Sequence, residues 1–302
     1  MRSLILLALA AALASPTAAQ TPERSLRAAF EAGQGRRIFT VAHRSCWRAA
    51  SENSIAGIEA CAKLGIDLVE IDVQLTRDGV PVLMHDRDVA RMTGGVGKIA
   101  DMSLSDLKKF RLRKGAGGLG AAMTDASIPT LAEALAAARG KVITHLDLKR
   151  GPEDWSAVWK VVEAERATDV VLMKITEPAA DPAWKAAPFT GKTLVRSRVG
   201  QDSYPDLGAG LCALEGRGLA AHTVMFKSLD YIASLKAARA RCHDGRLWVA
   251  TESPDYAGGL DDALALKDPD AVWGRLIDAG FTVLETDHPE ALKAYLQRRA
   301  AR

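Results

Sequence analysis

Short apolar runs alternate with stretches of helical periodicity along most of this chain. IFTVAH (residues 38–43) reads as a strand. Behind it Ile55, Ile58 and Ala62 share one helical face, with Asn53 placed as the N-cap. IDLVEIDVQL (66–75) is the second strand, and VPVLMH (80–85) extends it past the turn signal Arg77-Asp78-Gly79. Predicted helices over 131–138 and 154–165 lead into strands over 141–147 and 169–175. Further strands fall at 193–198, 222–226, 246–251 and 282–286, with helices at 229–241, 271–279 and 289–298. A polar helical lead covers 22–31, and 252–269 reads as loop. The rhythm breaks at about 87–128, a Gly-, Lys- and Arg-rich insertion with one short helix near 104–110.

Eight strands, most followed by a helix, define an α/β chain with a parallel sheet and right-handed crossovers. Eight units predict a closed (β/α)8 TIM barrel with a small insertion after strand two, and the alternative is an open doubly wound sheet. Dinucleotide sites on a doubly wound sheet carry a Gly-rich fingerprint. GAGGLG (115–120) has the spacing, but charged RLRK precedes it where a strand is required and no helix opens behind it.

The N-terminus changes the picture of where the chain works. MRSLILLALAAALASPTAAQ has a basic start, an apolar run over 4–13 and small residues before a cleavage point after Ala19. Residues 1–19 therefore read as a signal peptide and 20–302 as a single barrel domain, exported to the periplasm or secreted. An uncleaved anchor is the other reading, although the run is short for a stable membrane span. A net charge of +3 without a long basic run gives no support to a nucleic-acid partner. Export permits disulfides. Cys46, Cys61, Cys212 and Cys242 lack the CxxC spacing of a zinc cage. Pairing 46 with 61 and 212 with 242 is one of three possible arrangements, and four buried thiols are the remaining option.

Chemistry gathers at predicted strand ends. Glu70 and Asp72 alternate with Ile71, so both acids share the face that a barrel turns toward its axis. Two buried carboxylates this close repel, and a hard divalent cation with oxygen ligands resolves the conflict. Pairing with Lys or Arg, or protonation of one acid, would resolve it equally. Asp147 and Lys149 share a face at the end of the third strand, as a third oxygen ligand and as a phosphate contact or counter-ion. His43 and His85 end two apolar runs and suit proton transfer. Arg44 offers a planar fork for phosphate oxygens. His145, His222, His243 and His288 lack such company, and the last two read as structural or surface residues.

AHRSCWRAASENS, VEIDVQLTRDGVPVLMHDRDVARMTG, SIPTLAEAL, HLDLKR and GFTVLETDHPEAL together resemble the glycerophosphodiester phosphodiesterase family. The resemblance is dense over 41–150 and returns at 281–292. It implies a (β/α)8 barrel that hydrolyses glycerophosphodiesters to an alcohol and glycerol 3-phosphate. By that resemblance His43 and His85 form the acid/base pair, and Glu70, Asp72 and Asp147 hold one divalent cation, Ca²⁺ or Mg²⁺. Arg44 and Lys149 contact phosphate, and Glu52 and Asn53 orient the site. Which histidine is acid and which base is open at this point. Three positions depart from the family pattern. Ser45 replaces the glycine of HRG, which draws the backbone's approach to phosphate into question. Asp147 replaces a glutamate. The strand read as W-T-V-N keeps Trp248 but not the asparagine.

Two other readings compete with hydrolysis of a small-molecule phosphodiester. One is a phospholipase-D-like or phospholipase-C-like enzyme acting on lysolipid or inositol lipid, which needs an apolar path for an acyl chain. The other is a non-catalytic phosphodiester-binding protein.

Overall fold

The computed structural model describes residues 22–32, 37–175, 182–242 and 245–301. The expected signal peptide and His243 lie outside the described residues. Nine strands form one sheet: β1 (Phe39–Ala42), β2 (Leu68–Leu75), β3 (Pro81–Leu83), β4 (Ile143–Leu148), β5 (Val171–Lys174), β6 (Leu194–Gly200), β7 (Ala221–Met225), β8 (Arg246–Ala250) and β9 (Val283–Thr286). Eight of them pair in parallel in the order β1-β2-β4-β5-β6-β7-β8-β9, and β9 returns to β1, so the (β/α)8 barrel is closed.

β3 is a correction to the sequence reading. The run 80–85 does not extend the second strand but folds back antiparallel on it, with Val73 opposite Leu83 and Leu75 opposite Pro81. The turn at Arg77-Asp78-Gly79, with Gly79 at φ 76°, reverses the chain there. Residues 87–128 are more ordered than a loop insertion. Helical turns at Ala90–Thr93, Ile99–Asp101 and Leu104–Leu107 bury Val89, Met92, Ile99, Leu107, Leu112 and Ile128 against β3 as a small core of their own.

Three other segments differ from expectation. The helix expected over 229–241 is broken at Ser234 into Leu229–Ala233 and Leu235–Arg241. Asp261 accepts a hydrogen bond from Leu264 N and starts a short helix, Asp262–Ala265, inside the stretch read as loop. Ser54, not Asn53, caps the helix Ile55–Leu64, because its hydroxyl accepts from Gly57 N at 3.0 Å. The helix Leu131–Ala138 has the expected limits and a capping box between Thr130 and Glu133.

Alternation along the strands divides the barrel interior by height. Its floor is apolar: Phe39, Val41, Leu68, Ile143, Leu172 and Val283 are buried there. The N-terminal helix Pro22–Glu31 seals that floor with Phe30, edge-on to Phe39 at 5.1 Å. Arg246 secures the plug by donating to the carbonyls of Phe30 (2.8 Å) and Ala29 (2.6 Å) at the helix's C-terminal end. Above this layer the inward positions become ionisable, so the apolar effect fixes the lower barrel and leaves the mouth to chemistry. Among the described residues no helix is long and apolar enough to cross a membrane.

All four cysteines are paired, 46 with 61 and 212 with 242. The first bond ties the loop after β1 to the helix Ile55–Leu64.

Candidate active site

The chain leaves β1 through a left-handed turn, with Arg44 at φ 51° and Ser45 at φ 64°. This turn aims consecutive backbone N–H groups at β2. Arg44 N donates to Glu70 Oε2 at 2.7 Å and Ser45 N to the Glu70 carbonyl at 2.9 Å. The Ser45 side chain points away from the cavity. It is buried against the helix Ile55–Leu64, where Gly57 lacks the Cβ that would otherwise lie 2.3 Å from its hydroxyl. The departure from glycine at position 45 is therefore absorbed behind the site, and the concern over phosphate approach does not apply.

Asn53 is also left-handed, at φ 53°, a conformation asparagine tolerates. Its amide meets Asp72 twice: Nδ2 donates to Oδ2 at 2.7 Å and Oδ1 accepts from the Asp72 backbone N at 2.9 Å. Its loss as an N-cap is thus explained by a different partner. Glu52 is buried and bound by Arg44 Nη1 at 3.3 Å and Arg91 Nη2 at 2.5 Å.

Glu70, Asp72 and Asp147 bring carboxylate oxygens within 4.8 Å of one another. Burial first, and the Asp72 charge second, push the Glu70 pKa well above the usual carboxylate range. Burial acts the same way on Asp147, but the ammonium groups of Lys174 (2.7 Å) and Lys149 (3.0 Å) outweigh it and hold that acid well below its ordinary value. Lys149 also pairs with Asp72. The counter-ion role considered for Lys149 is thus seen in the structure. An all-oxygen donor set with one under-compensated carboxyl fits a hard divalent cation.

Both histidines stand at this mouth, and each has its Nδ1 held by an aspartate. His43 Nδ1 lies 2.8 Å from Asp287 Oδ1, and Trp47 Nε1 donates to the same oxygen at 2.8 Å. Burial would lower the His43 pKa, but the Asp287 hydrogen bond and the charges of Glu70, Glu252 and Glu285 reverse this and raise it to about 10. His85 Nδ1 lies 2.8 Å from Asp86 Oδ1, and Arg91 grips Asp86 at 2.8 and 2.9 Å. Arg91 thereby joins Asp86 to Glu52. The Arg91 hydrogen bonds, helped by His85 and opposed by burial, bring Asp86 to about 2.

One cavity of about 380 Å³ is lined by His43, Arg44, Glu52, Glu70, His85, Asp147 and Lys149, all expected from the sequence. Asp72 and Asn53 lie behind its wall. Its other charged lining residues, Lys174, Arg196, Arg198, Glu252, Glu285 and Asp287, were not expected from the sequence. Counting alternate positions up β5, β6 and β9 would have found Lys174, Arg196 and Glu285. No local signal points to the Asp287–His43 pair, whose members are 244 residues apart. His145 sits one layer down, fully buried, accepting from Arg196 Nε at 2.9 Å. Burial, reinforced by Arg196, lowers its pKa well below the usual value and keeps it neutral. His222 faces outward to Ser197 Oγ at 2.7 Å. Trp248 donates to Glu285 Oε2 at 2.8 Å beneath the cavity.

Fold and site together define a TIM-barrel protein with a polar, acid-rich cavity at the C-terminal ends of its strands. Residues 43–185 match the model of the glycerophosphoryl diester phosphodiesterase family, and residues 213–296 match a domain of unknown function. Human glycerophosphodiester phosphodiesterase 1 is 41% identical over 106 residues, 33% of this chain and 30% of the relative. The glycerophosphodiester phosphodiesterase of Bacillus subtilis is 41% identical over 74 residues, 24% of this chain and 25% of the relative. The matches thus span about a third or less of these relatives' length. Among solved structures, a glycerophosphoryl diester phosphodiesterase from Parabacteroides distasonis superposes with a TM-score of 0.69 at 22% identity, covering 93% of both chains. An Oleispira antarctica phosphodiesterase in complex with the product sn-glycerol-3-phosphate gives 0.62 at 21% identity, covering 86% of this chain and 96% of that one. These two share the fold. Residues 43–185, just under half of the chain, are thus similar to the glycerophosphoryl diester phosphodiesterase family, and the whole chain shares the fold of its solved members.

Proposed function

We propose that this protein is a phosphoric diester hydrolase that cleaves small glycerophosphodiesters to an alcohol and glycerol 3-phosphate. The observation that carries this reading is the pair of imidazoles, each steadied by an aspartate, on one cavity with three clustered carboxylates. The relatives' names and the product bound in the Oleispira neighbour support the same reaction. The cavity volume of about 380 Å³ suits a small-molecule ligand.

Glu70, Asp72 and Asp147 are the residues that would hold one divalent cation. Ca²⁺ or Mg²⁺ bound there supplies polarisation of a phosphoryl oxygen and compensation of negative charge. Arg44 and Lys149 hold the phosphate oxygens by charge-assisted hydrogen bonds. Asp287 favours the charged form of His43, which suits it to protonate the leaving alkoxide from Nε2. His85, with Asp86 fixing its Nδ1 side, takes the proton of the attacking water or of a neighbouring substrate hydroxyl. Glu52 and Asn53 act as positioning residues through Arg44, Arg91 and Asp72.

The lining gives little support to an acyl-chain substrate, since Trp47, Ala116, Met225 and Ala250 are its main apolar members. We further infer work outside the cytoplasm, supported by the two disulfides and by the signal-like residues 1–19.

The test is alcohol release from glycerophosphodiesters and lysolipids by the purified mature protein, in chelator and with Ca²⁺ or Mg²⁺ restored. Hydrolysis restored by cation, and lost by about 10²-fold or more in His43→Ala and in His85→Ala, is expected. No turnover with any substrate or cation would favour the non-catalytic binder instead.

A further inference from the structure

The mouth of the barrel is electrically divided. Its acidic arc runs over β8, β9, β1 and β2, with Glu252, Glu285, Asp287 and Glu70. Its basic wall lies on β5 and β6, with Lys174, Arg196 and Arg198. Two of these three cations are engaged. Lys174 holds Asp147 at 2.7 Å, and Arg196 is buried, donating to His145 and Thr223 and stacked 4.8 Å over Trp248. Arg198 is different. It is exposed on the cavity wall, and among the described residues its guanidinium has no hydrogen bond or ion pair.

The register locates it. Leu146 pairs with Met173 and Lys174 with Arg196, so Arg196 is level with Asp147, and Arg198 stands two residues higher toward solvent. Two strand spacings and two residues of rise separate Asp147 from Arg198 by about 12 Å between backbones. Arg44 and Lys149 already flank the carboxylate cluster. Arg198 is therefore placed for a group beyond the scissile phosphate.

We infer that Arg198 forms a second anion subsite, which selects phosphodiesters whose leaving alcohol carries a further negative charge, a carboxylate or a second phosphate. This rests on the proposed hydrolase reading and deepens it. An unpaired guanidinium in a concave site gains a bidentate, charge-assisted contact from such a group at no cost in broken ion pairs. The facing acid Glu252 does not favour a cationic alcohol strongly, because burial and the Glu285 charge push its pKa to about 8.

The test uses three diesters sharing the glycerophosphoryl arm, with choline, glycerol or glycerate as the alcohol. For the wild type, kcat/KM is expected to rise in that order, with at least a tenfold preference for glycerate over glycerol. Arg198→Ala should abolish that ratio, Arg198→Lys should keep part of it, and Arg198→Glu should invert it. Calorimetric binding of the same glycerol and glycerate diesters in chelator gives a readout independent of turnover. A glycerate preference in binding that Arg198→Ala removes supports the subsite even if no diester is hydrolysed, in which case only the hydrolase reading fails. Equal affinities, or a preference that survives Arg198→Ala, overturn the subsite whether or not turnover occurs.

Discussion

Replacing Gly57 by Ala would put a methyl carbon 2.3 Å from Ser45 Oγ and 3.3 Å from Ser45 Cβ and the Ser51 carbonyl. The first distance requires movement. Overpacking of this kind costs about 1–3 kcal/mol, while Ala in place of Gly in a helix returns about 1 kcal/mol. The single variant should therefore lose up to about 2 kcal/mol. Ser45→Gly alone should be near neutral. It relieves a left-handed Ser and a buried hydroxyl without a hydrogen-bond partner among the described residues, but adds chain entropy to the unfolded state. In the Ser45→Gly background the two shortest contacts vanish, and Gly57→Ala should become neutral or slightly stabilising. The double-mutant cycle then has a favourable coupling of about 1–3 kcal/mol.

Equilibrium urea unfolding of the four oxidised proteins measures that coupling through the midpoint at constant slope. Turnover offers a second reading. A loop pushed off Gly57 carries Arg44 N away from Glu70 Oε2, so kcat should fall in Gly57→Ala and recover in the double variant. Additivity within about 0.5 kcal/mol would refute the claim that Gly57 makes room for Ser45.

Three further predictions follow from the site. Asp287→Asn should bring the His43 pKa down from about 10, read by NMR titration. The raised folded value makes this contact stabilising below the unfolded pKa of about 6.5 and lost as pH climbs toward 10. The stability gap to wild type should thus be wide at pH 6 and nearly closed at pH 10, and a gap that widens with pH contradicts the assignment. Lys149→Met removes the cation shared by Asp72 and Asp147. It should cost about 1.5–3 kcal/mol in chelator and much less in saturating Ca²⁺; an equal loss in both would count against a cation site there. Replacing Cys46 and Cys61 by Ser opens a 15-residue loop and should cost about 3 kcal/mol together with kcat. The pair Cys212–Cys242, 30 residues apart and remote from the cavity, should cost about 3.5 kcal/mol with kcat unchanged. Equal kcat losses from both pairs would show that the first bond does not position the loop.

Much of this barrel can be read from alternation alone. Period-two patterning fixes which side chains enter the interior, and so the sequence alone puts Glu70 with Asp72, and Asp147 with Lys149, on the inward faces of their strand ends. What alternation does not carry is which side chains meet between neighbouring strands. Lys174 reaches Asp147 over 27 residues and Asp287 reaches His43 over 244, and neither link leaves a trace in local periodicity. Asn53 was misread for a related reason. A helix start is crowded with residues able to cap, and burial against Asp72, not propensity, decided that Ser54 does it.

The same division separates reaction from selection. All nine residues given chemical roles from the sequence lie within the 43–185 segment that matches the family, on β2 and β4 and in the loops that follow β1, β3 and β4. The far wall, on β6 to β9, lies outside it. That wall holds His43 through Asp287 and acts on it through the charges of Glu252 and Glu285; on the proposed reading the rest of it faces whatever is attached to the phosphate. A barrel allows this because each strand end is built by its own loop and can change without disturbing the apolar floor below. Substitutions on β6 to β9 and the loops after them, other than at Glu252, Glu285 and Asp287, should therefore change which diester is preferred more than they change the rate with the best one.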